Sequence, residues 1–171
     1  MSPTTALPAD IEALADSLSA CANELHQRIM RAIRRNGQGR TDNDEGDGDA
    51  ADGAAGGITQ ADAQALFDQE VALRQSANSL YVDSARLAVA GLAVPGQQLL
   101  SLAARARETI RRIDRAKEIA GIAGSLIGVA AAILAAHPQN LATALETLDE
   151  HLDALKDESL QKPGDGTTMT T

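Results

Sequence analysis

The sequence predicts an all-α protein, a four-helix bundle-like assembly in which long amphipathic helices surround a central apolar helix rich in Gly and Ala. Good helix formers such as Ala, Leu, Arg, Gln and Glu dominate outside the loops, and no segment alternates with the period of a strand. Phe67 and Tyr81 are the only aromatic residues among 171, so the core must consist of Leu, Ile, Val and Ala. A chain of this length forms one domain.

The first helix is predicted from Ala9 to Arg35, after a flexible N-terminus over residues 1–8. Pro8 suits the first position of a helix, and Asn36 with Gly37 suits its end. Apolar residues then recur three and four positions apart, which places them on one helix face. This stripe comprises Ile11, Leu14, Leu18, Cys21, Leu25, Ile29 and Ile33.

Residues 36–58 are predicted to form a disordered acidic loop, because the segment is Gly/Asp-rich and has almost nothing to bury. It carries six acidic residues and one Arg, and so supplies −5 of the formal net charge of −9. A calcium-binding EF-hand is excluded on its ligands. When Asp62 is set at the last ligand position, the first three fall on Ala51, Gly53 and Ala55, which have no side-chain oxygen.

The second helix is predicted to begin with a capping box formed by Thr59 and Asp62, and to run to about Gly91. Pro95 and Gly96 then mark a turn or a sharp kink. The predicted buried face comprises Leu66, Leu73, Ala77, Leu80 and Leu87, widened on one side by Phe67, Val71 and Tyr81.

A single third helix is predicted from about Gln97 to Ala136. Its last 18 residues, from Ile119, carry no charge, and Ser125 is the only polar residue among them. Gly124 and Gly128 form a small-xxx-small pair that lets another helix approach to backbone contact. Because glycine weakens a helix, we expect a neighbouring helix to press against Gly124.

The fourth helix is predicted from about Gln139 to Leu160, before a disordered tail over residues 161–171. It has a regular leucine stripe and an acidic outer face, as in a bundle helix.

Motifs for catalysis, metals or cofactors are missing, so we expect no enzyme activity, no cofactor and no small-molecule substrate. The three histidines form neither a His-Glu-x-x-His pair nor the Glu-x-x-His pattern of di-metal bundles. Cys21 lies on an apolar stripe, where a thiol acts as a small hydrophobe. The six cations from Arg105 to Lys117 are interspersed with acids and lack aromatic neighbours, which disfavours nucleic acid binding.

Two functional hypotheses follow. The first is a non-catalytic interaction protein that binds another protein or itself through Leu/Ala helix faces. Its predicted contact residues are Leu66, Leu73, Leu80, Leu87, Leu141, Leu145, Leu148, Leu152 and Leu155.

The second hypothesis is a membrane-active protein that inserts residues 119–136, since 18 residues of helix span about 27 Å, close to a hydrocarbon core. The segment comprises, among others, Ile119, Gly121, Ile122, Gly124, Leu126, Ile127, Gly128, Val129, Ile133 and Leu134. In general layout this resembles helical pore-forming toxins and secretion-system translocators. The N-terminus has no signal-peptide pattern. We therefore expect cytoplasmic residence, with membrane association or export without a cleavable signal as alternatives.

Overall fold

The computed structural model describes residues 7–38, 58–89, 96–113 and 115–160, and these ranges form an all-α, bundle-like fold, as predicted. The described part contains no strand. The predicted acidic loop beyond residue 38, the turn at 90–95, the tail from 161 and most of the N-terminus lie outside the described residues. The helices are α1 (Pro8–Gln38), α2 (Gln60–Val89), α3 (Gly96–Arg112), α4 (Ala116–Leu134) and α5 (Pro138–Leu160).

The two long helices, α1 and α2, are antiparallel and share the largest interface in the molecule. The early residue Glu12 faces the late residue Ser84, whereas His26 faces Glu70. The predicted capping box is confirmed, because the Thr59 hydroxyl accepts from the Asp62 amide at 3.1 Å. The apolar stripes of both helices are buried.

Three apolar residues predicted to extend these stripes remain largely exposed. Ile33 is 45% exposed near the end of α1, and Val71 and Tyr81 face outward on α2. The stripe of a straight helix drifts around its axis over several turns, which accounts for the exposure of Ile33. Val71 and Tyr81 lie two positions and one position from the buried Leu73 and Leu80, and residues so spaced point to different sides of a helix.

The third predicted helix is two helices. The chain leaves helical geometry after Arg112 and re-enters it at Ala116, with Arg115 extended at φ −82° and ψ 116°. The prediction of one continuous helix was wrong. Residues 113–115 include no Gly or Pro, so the sequence carries no signal of a break there. At the break, Arg28 of α1, which runs alongside α3 in the same direction, donates to two carbonyl oxygens at the end of α3.

The apolar helix α4 is not central, contrary to the prediction. It packs mainly against α2 and α5, and makes few contacts with α1 and α3. Its composition is apolar all round, but only one of its faces is buried. The prediction of a surrounded helix failed because uncharged sequence does not distinguish a helix buried on all sides from one with an open face of small residues.

The C-terminus of α4 is a Schellman motif. The Ala136 amide donates to the carbonyl oxygen of Ile133 at 2.9 Å, and the His137 amide donates to that of Ala132 at 3.3 Å. Ala136 has φ 54°, the left-handed conformation that glycine usually occupies at this position. Pro138 then begins α5, so α4 and α5 form a short-turned helical hairpin.

Candidate interaction surface on the fourth helix

The large aliphatic side chains of α4 point into the bundle. Ile127 and Leu134, also predicted as site residues, are partly buried and pack at the edge of the core. The fully inward residues are Ile119, Ile122, Ala123, Leu126, Val129, Ala130, Ala132 and Ile133. This face therefore holds α4 in place.

The opposite face of α4 consists of small residues and is open; we call it the small-residue face. Its members lie alternately three and four positions apart: Gly121, Gly124, Gly128, Ala131 and Ala135. All but the half-buried Gly121 are exposed. A Cβ atom at Gly128 would meet no atom within 4 Å, and one at Gly124 would meet only Gln69 Nε2, at 3.8 Å.

Among the described helices none presses its backbone against Gly124, where Gln69 on α2 is the one neighbour at contact distance, so that expectation was wrong. The small-xxx-small spacing is present as predicted from the sequence, but no described helix packs into it. What sequence reasoning missed is the orientation. The signal was available, because the three-and-four spacing of the small residues places them opposite the large aliphatic residues of the same helix.

Two polar contacts flank the small-residue face. On the α2 side, Gln69 Nε2 donates to the carbonyl oxygen of Ala120 at 3.0 Å, while the buried Gln69 Oε1 has no hydrogen-bond partner. On the α5 side, Ser125 Oγ lies 2.8 Å from Nδ1 of His151.

The Ser125–His151 pair is not arranged as a nucleophile and its base. The hydroxyl of Ser125 donates to the carbonyl oxygen of Gly121 at 3.0 Å. A hydroxyl has one proton, so His151 must donate to Ser125 rather than accept from it. A nucleophile activated by histidine needs the opposite direction. The pair fastens α4 to α5.

The predicted contact leucines belong to the core. Eight of the nine are buried, and Leu155 is partly buried against them. In this fold they pack the protein's own helices together and are not open to another molecule. The buried ones are Leu66, Leu73, Leu80, Leu87, Leu141, Leu145, Leu148 and Leu152.

Cys21 is buried, as its place on the α1 stripe predicted, and its thiol donates to the carbonyl oxygen of Ala103 at 3.7 Å. Burial raises the pKa of Cys21 to about 12, although Arg107 on α3 acts in the opposite direction. The described residues include no group of three side chains able to hold a metal ion.

Three of the four arginines of α3 form ion pairs with described residues. Arg105 spans to Asp149 at 2.5 Å and Asp153 at 2.6 Å on α5, and Glu108 pairs with both Arg111 and Arg112. These pairings hold the pKa of Glu108 below its usual range, with the Arg111 hydrogen bond as the largest cause. The α3 surface is therefore an ion-paired face.

By length and composition, α4 is the one helix among the described residues that could cross a membrane. No protein-family model matches the chain, and comparison with curated proteins and with solved structures finds no match.

Proposed function

We propose that this protein is a non-catalytic interaction module whose binding surface is the small-residue face of α4. One observation carries the proposal: Gly124 and Gly128 lie exposed in the uncharged part of α4 that begins at Ile119, and a side chain at either position would have room. Glycine costs about 1 kcal/mol relative to alanine in a helix. A partner that packs closely against the backbone of α4 would account for glycine at these two positions.

The geometry favours a partner helix that brings larger aliphatic side chains. The small-residue face contributes little apolar area of its own, so two such faces would bury little on contact. A helix with a Leu or Ile stripe can instead lie close to the α4 backbone and fill the space above the glycines.

The membrane hypothesis rests on the length and composition of α4. Its orientation in the bundle favours a protein partner instead. A helix that meets lipid directly gains most from outward Leu, Ile and Val. Here the large side chains point inward, and Gly and Ala point outward.

The test compares Gly128→Arg with Ala85→Arg, a matched substitution at an exposed position of α2. Both should leave the fold intact, because neither side chain enters the core. Sedimentation velocity measures self-association, and crosslinked capture from a lysate measures partner binding. We expect Gly128→Arg to abolish the complex and Ala85→Arg to preserve it.

Equal binding by both variants would overturn the proposed surface. Flotation with anionic liposomes tests the membrane hypothesis. Flotation of the parent protein without any protein complex would favour insertion of α4 over helix docking.

A further inference from the structure

The outer side of α2 carries two valines that do not pack into the core. Val71 is 52% exposed, and Val82, at 86%, is the most exposed large apolar side chain among the described residues. Valine is also a poorer helix former than Ala, Leu or Gln, so helix propensity does not account for it at these positions. Both belong to a row of exposed residues spaced three and four positions apart, which we call the α2 row. It comprises Asp68, Val71, Gln75, Asn78 and Val82.

The α2 row has the same spacing as the small-residue face of α4. Val71 is 53 positions before Gly124, and Val82 is 53 positions before Ala135. The remaining members of the two rows correspond in the same way. A helix that presents the α2 row can therefore place each of its side chains at the height of one small residue of α4.

Within one chain the two rows already lie at the same height. Gln69 Nε2 on α2 donates to the carbonyl oxygen of Ala120, and a Cβ atom at Gly124 would lie 3.8 Å from the same nitrogen. Residue 69 is thus level with the middle of the turn from 120 to 124, about 53 positions further along. Gln69 and Ala120 are both near the start of their helices, and α2 and α4 share the second largest interface between helices. The two helices therefore run side by side in the same direction.

We propose that the partner helix at the small-residue face is α2 of a second copy of this chain. This inference rests on the proposed function and names its partner. A two-fold axis parallel to α2 and α4 leaves every height unchanged and brings α2 of each copy onto α4 of the other, so the same contact forms twice. Val71 of the second copy then lies at the height of Gly124, and Val82 of the second copy at the height of Ala135. These valines are the larger aliphatic side chains that the open face lacks.

Charges at one end of the two rows are complementary. Lys117 is exposed one turn before Gly121, on the same side of α4. Asp68, which accepts from Gln64, is level with Gly121. In the described part of the chain neither Lys117 nor Asp68 has an ion-pair partner. The dimer brings these opposite charges within about one helical turn of each other at two equivalent places, and such pairs favour one register over others.

Sedimentation velocity of the full chain, from low to high micromolar concentration, tests the dimer. We expect the parent to dimerise. Val82→Arg on the α2 row and Gly128→Arg on α4 should each weaken dimerisation by about tenfold or more, because an arginine on either side holds the two helices apart. Ala85→Arg should dimerise as the parent does. Ala85 is exposed one turn after Tyr81, which contacts α1, and its height corresponds to residue 138, beyond the end of α4.

Exchange of charges tests the contact of α2 with α4 directly. Asp68→Lys brings two cations together, and Lys117→Asp brings two anions together, so each alone should weaken dimerisation by about threefold or more. The double variant restores opposite charges with the signs reversed, and its dimerisation should return to within about twofold of the parent. Losses that came only from disturbance within one chain would add in the double variant instead.

The outcomes separate this inference from the proposed function. A parent that stays monomeric at every concentration would overturn the second copy as partner. Capture of another protein by the parent, but not by Gly128→Arg, would then leave the proposed surface standing. Dimerisation that is lost in Gly128→Arg but kept in Val82→Arg would overturn α2 as the partner helix and support the surface. Equal dimerisation of Gly128→Arg and the parent would overturn the dimer contact at α4, and a double charge variant no better than its single variants would overturn the register.

Discussion

The interface between α1 and α2 differs from the surroundings of α4 in how it is secured. Four polar contacts cross between α1 and α2 at successive levels. They join Glu12 to Ser84, Asp16 to Tyr81, Asn23 to Arg74, and His26 to Glu70. Each sets the register of one helix against the other. Between them the Leu and Ala side chains are fully buried.

The helix α4 has fewer such contacts, one to Gln69 on α2 and one between Ser125 and His151 on α5. One of its faces is held by aliphatic packing, and the opposite face is open over Gly124 and Gly128. Apolar packing sets position less sharply than polar contacts do, because the hydrophobic effect is non-directional. The comparison indicates that α1 and α2, which we call the scaffold, are held in register by polar contacts along their length, whereas α4 has one face that no described helix covers.

The largest effect should come from the scaffold. Leu80 on α2 is fully buried, so Leu80→Ala removes packed methyl groups and leaves a cavity. We expect it to lower the free energy of unfolding by about 2–5 kcal/mol in urea denaturation. Val82→Ala, on the same helix at 86% exposure, should change the free energy by less than about 0.5 kcal/mol. Similar losses of unfolding free energy from the two substitutions would contradict the burial of Leu80 in the core.

The next largest effect should come from ionisation of the Cys21 thiol at high pH. Cys21 lies in the scaffold core, and burial raises its pKa from 9.0 to about 12. Below about pH 9 the thiol is protonated in both states; as pH rises toward 12 only the unfolded chain ionises, so stability is lost. The free energy of unfolding should fall by about 1.4 kcal/mol per pH unit in that window. Urea denaturation of the parent against Cys21→Ala isolates this slope, and identical slopes would refute the burial argument.

Substitutions on the small-residue face should raise the free energy of unfolding rather than lower it. A Cβ at Gly128 meets nothing, so Gly128→Ala should raise the free energy of unfolding by about 0.5–1 kcal/mol through helix propensity alone. Gly124→Ala should do the same, since its neighbour is at ordinary contact distance. Thermal denaturation of the isolated protein measures both. A loss of stability on either substitution would reveal a contact that closes this face.

The smallest effect should come from the connection between the scaffold helices. Residues 39–57 contain no Leu, Ile, Val or aromatic residue. Replacement with a Gly/Ser linker of equal length should change the free energy of unfolding by less than about 0.5 kcal/mol, because nothing apolar is removed. Urea denaturation checks it, and a loss of several kcal/mol would show that this segment contributes to the scaffold interface.

The fold class and most core residues could be predicted from the sequence, because leucines at helical spacing share one face of a helix and that face packs inward. The corner at residues 113–115 could not. The contacts at this corner are tertiary, such as that of Arg28, which lies more than 80 positions earlier in the chain, and no local propensity encodes them. The candidate surface was half predictable: the spacing of Gly124 and Gly128 was evident, but the absence of a helix above them depends on how all five helices pack.

Tyr81 provides a fluorescence signal that comes from the scaffold alone. The chain has no Trp and one Tyr, and the Tyr81 hydroxyl donates to Asp16 across the α1–α2 interface. Tyrosine fluorescence therefore reports on that interface and is blind to α4, whereas far-ultraviolet circular dichroism sums every helix. If α4 separates from the scaffold before the scaffold melts, the two signals will not change together, and a single unfolding midpoint will not describe the molecule.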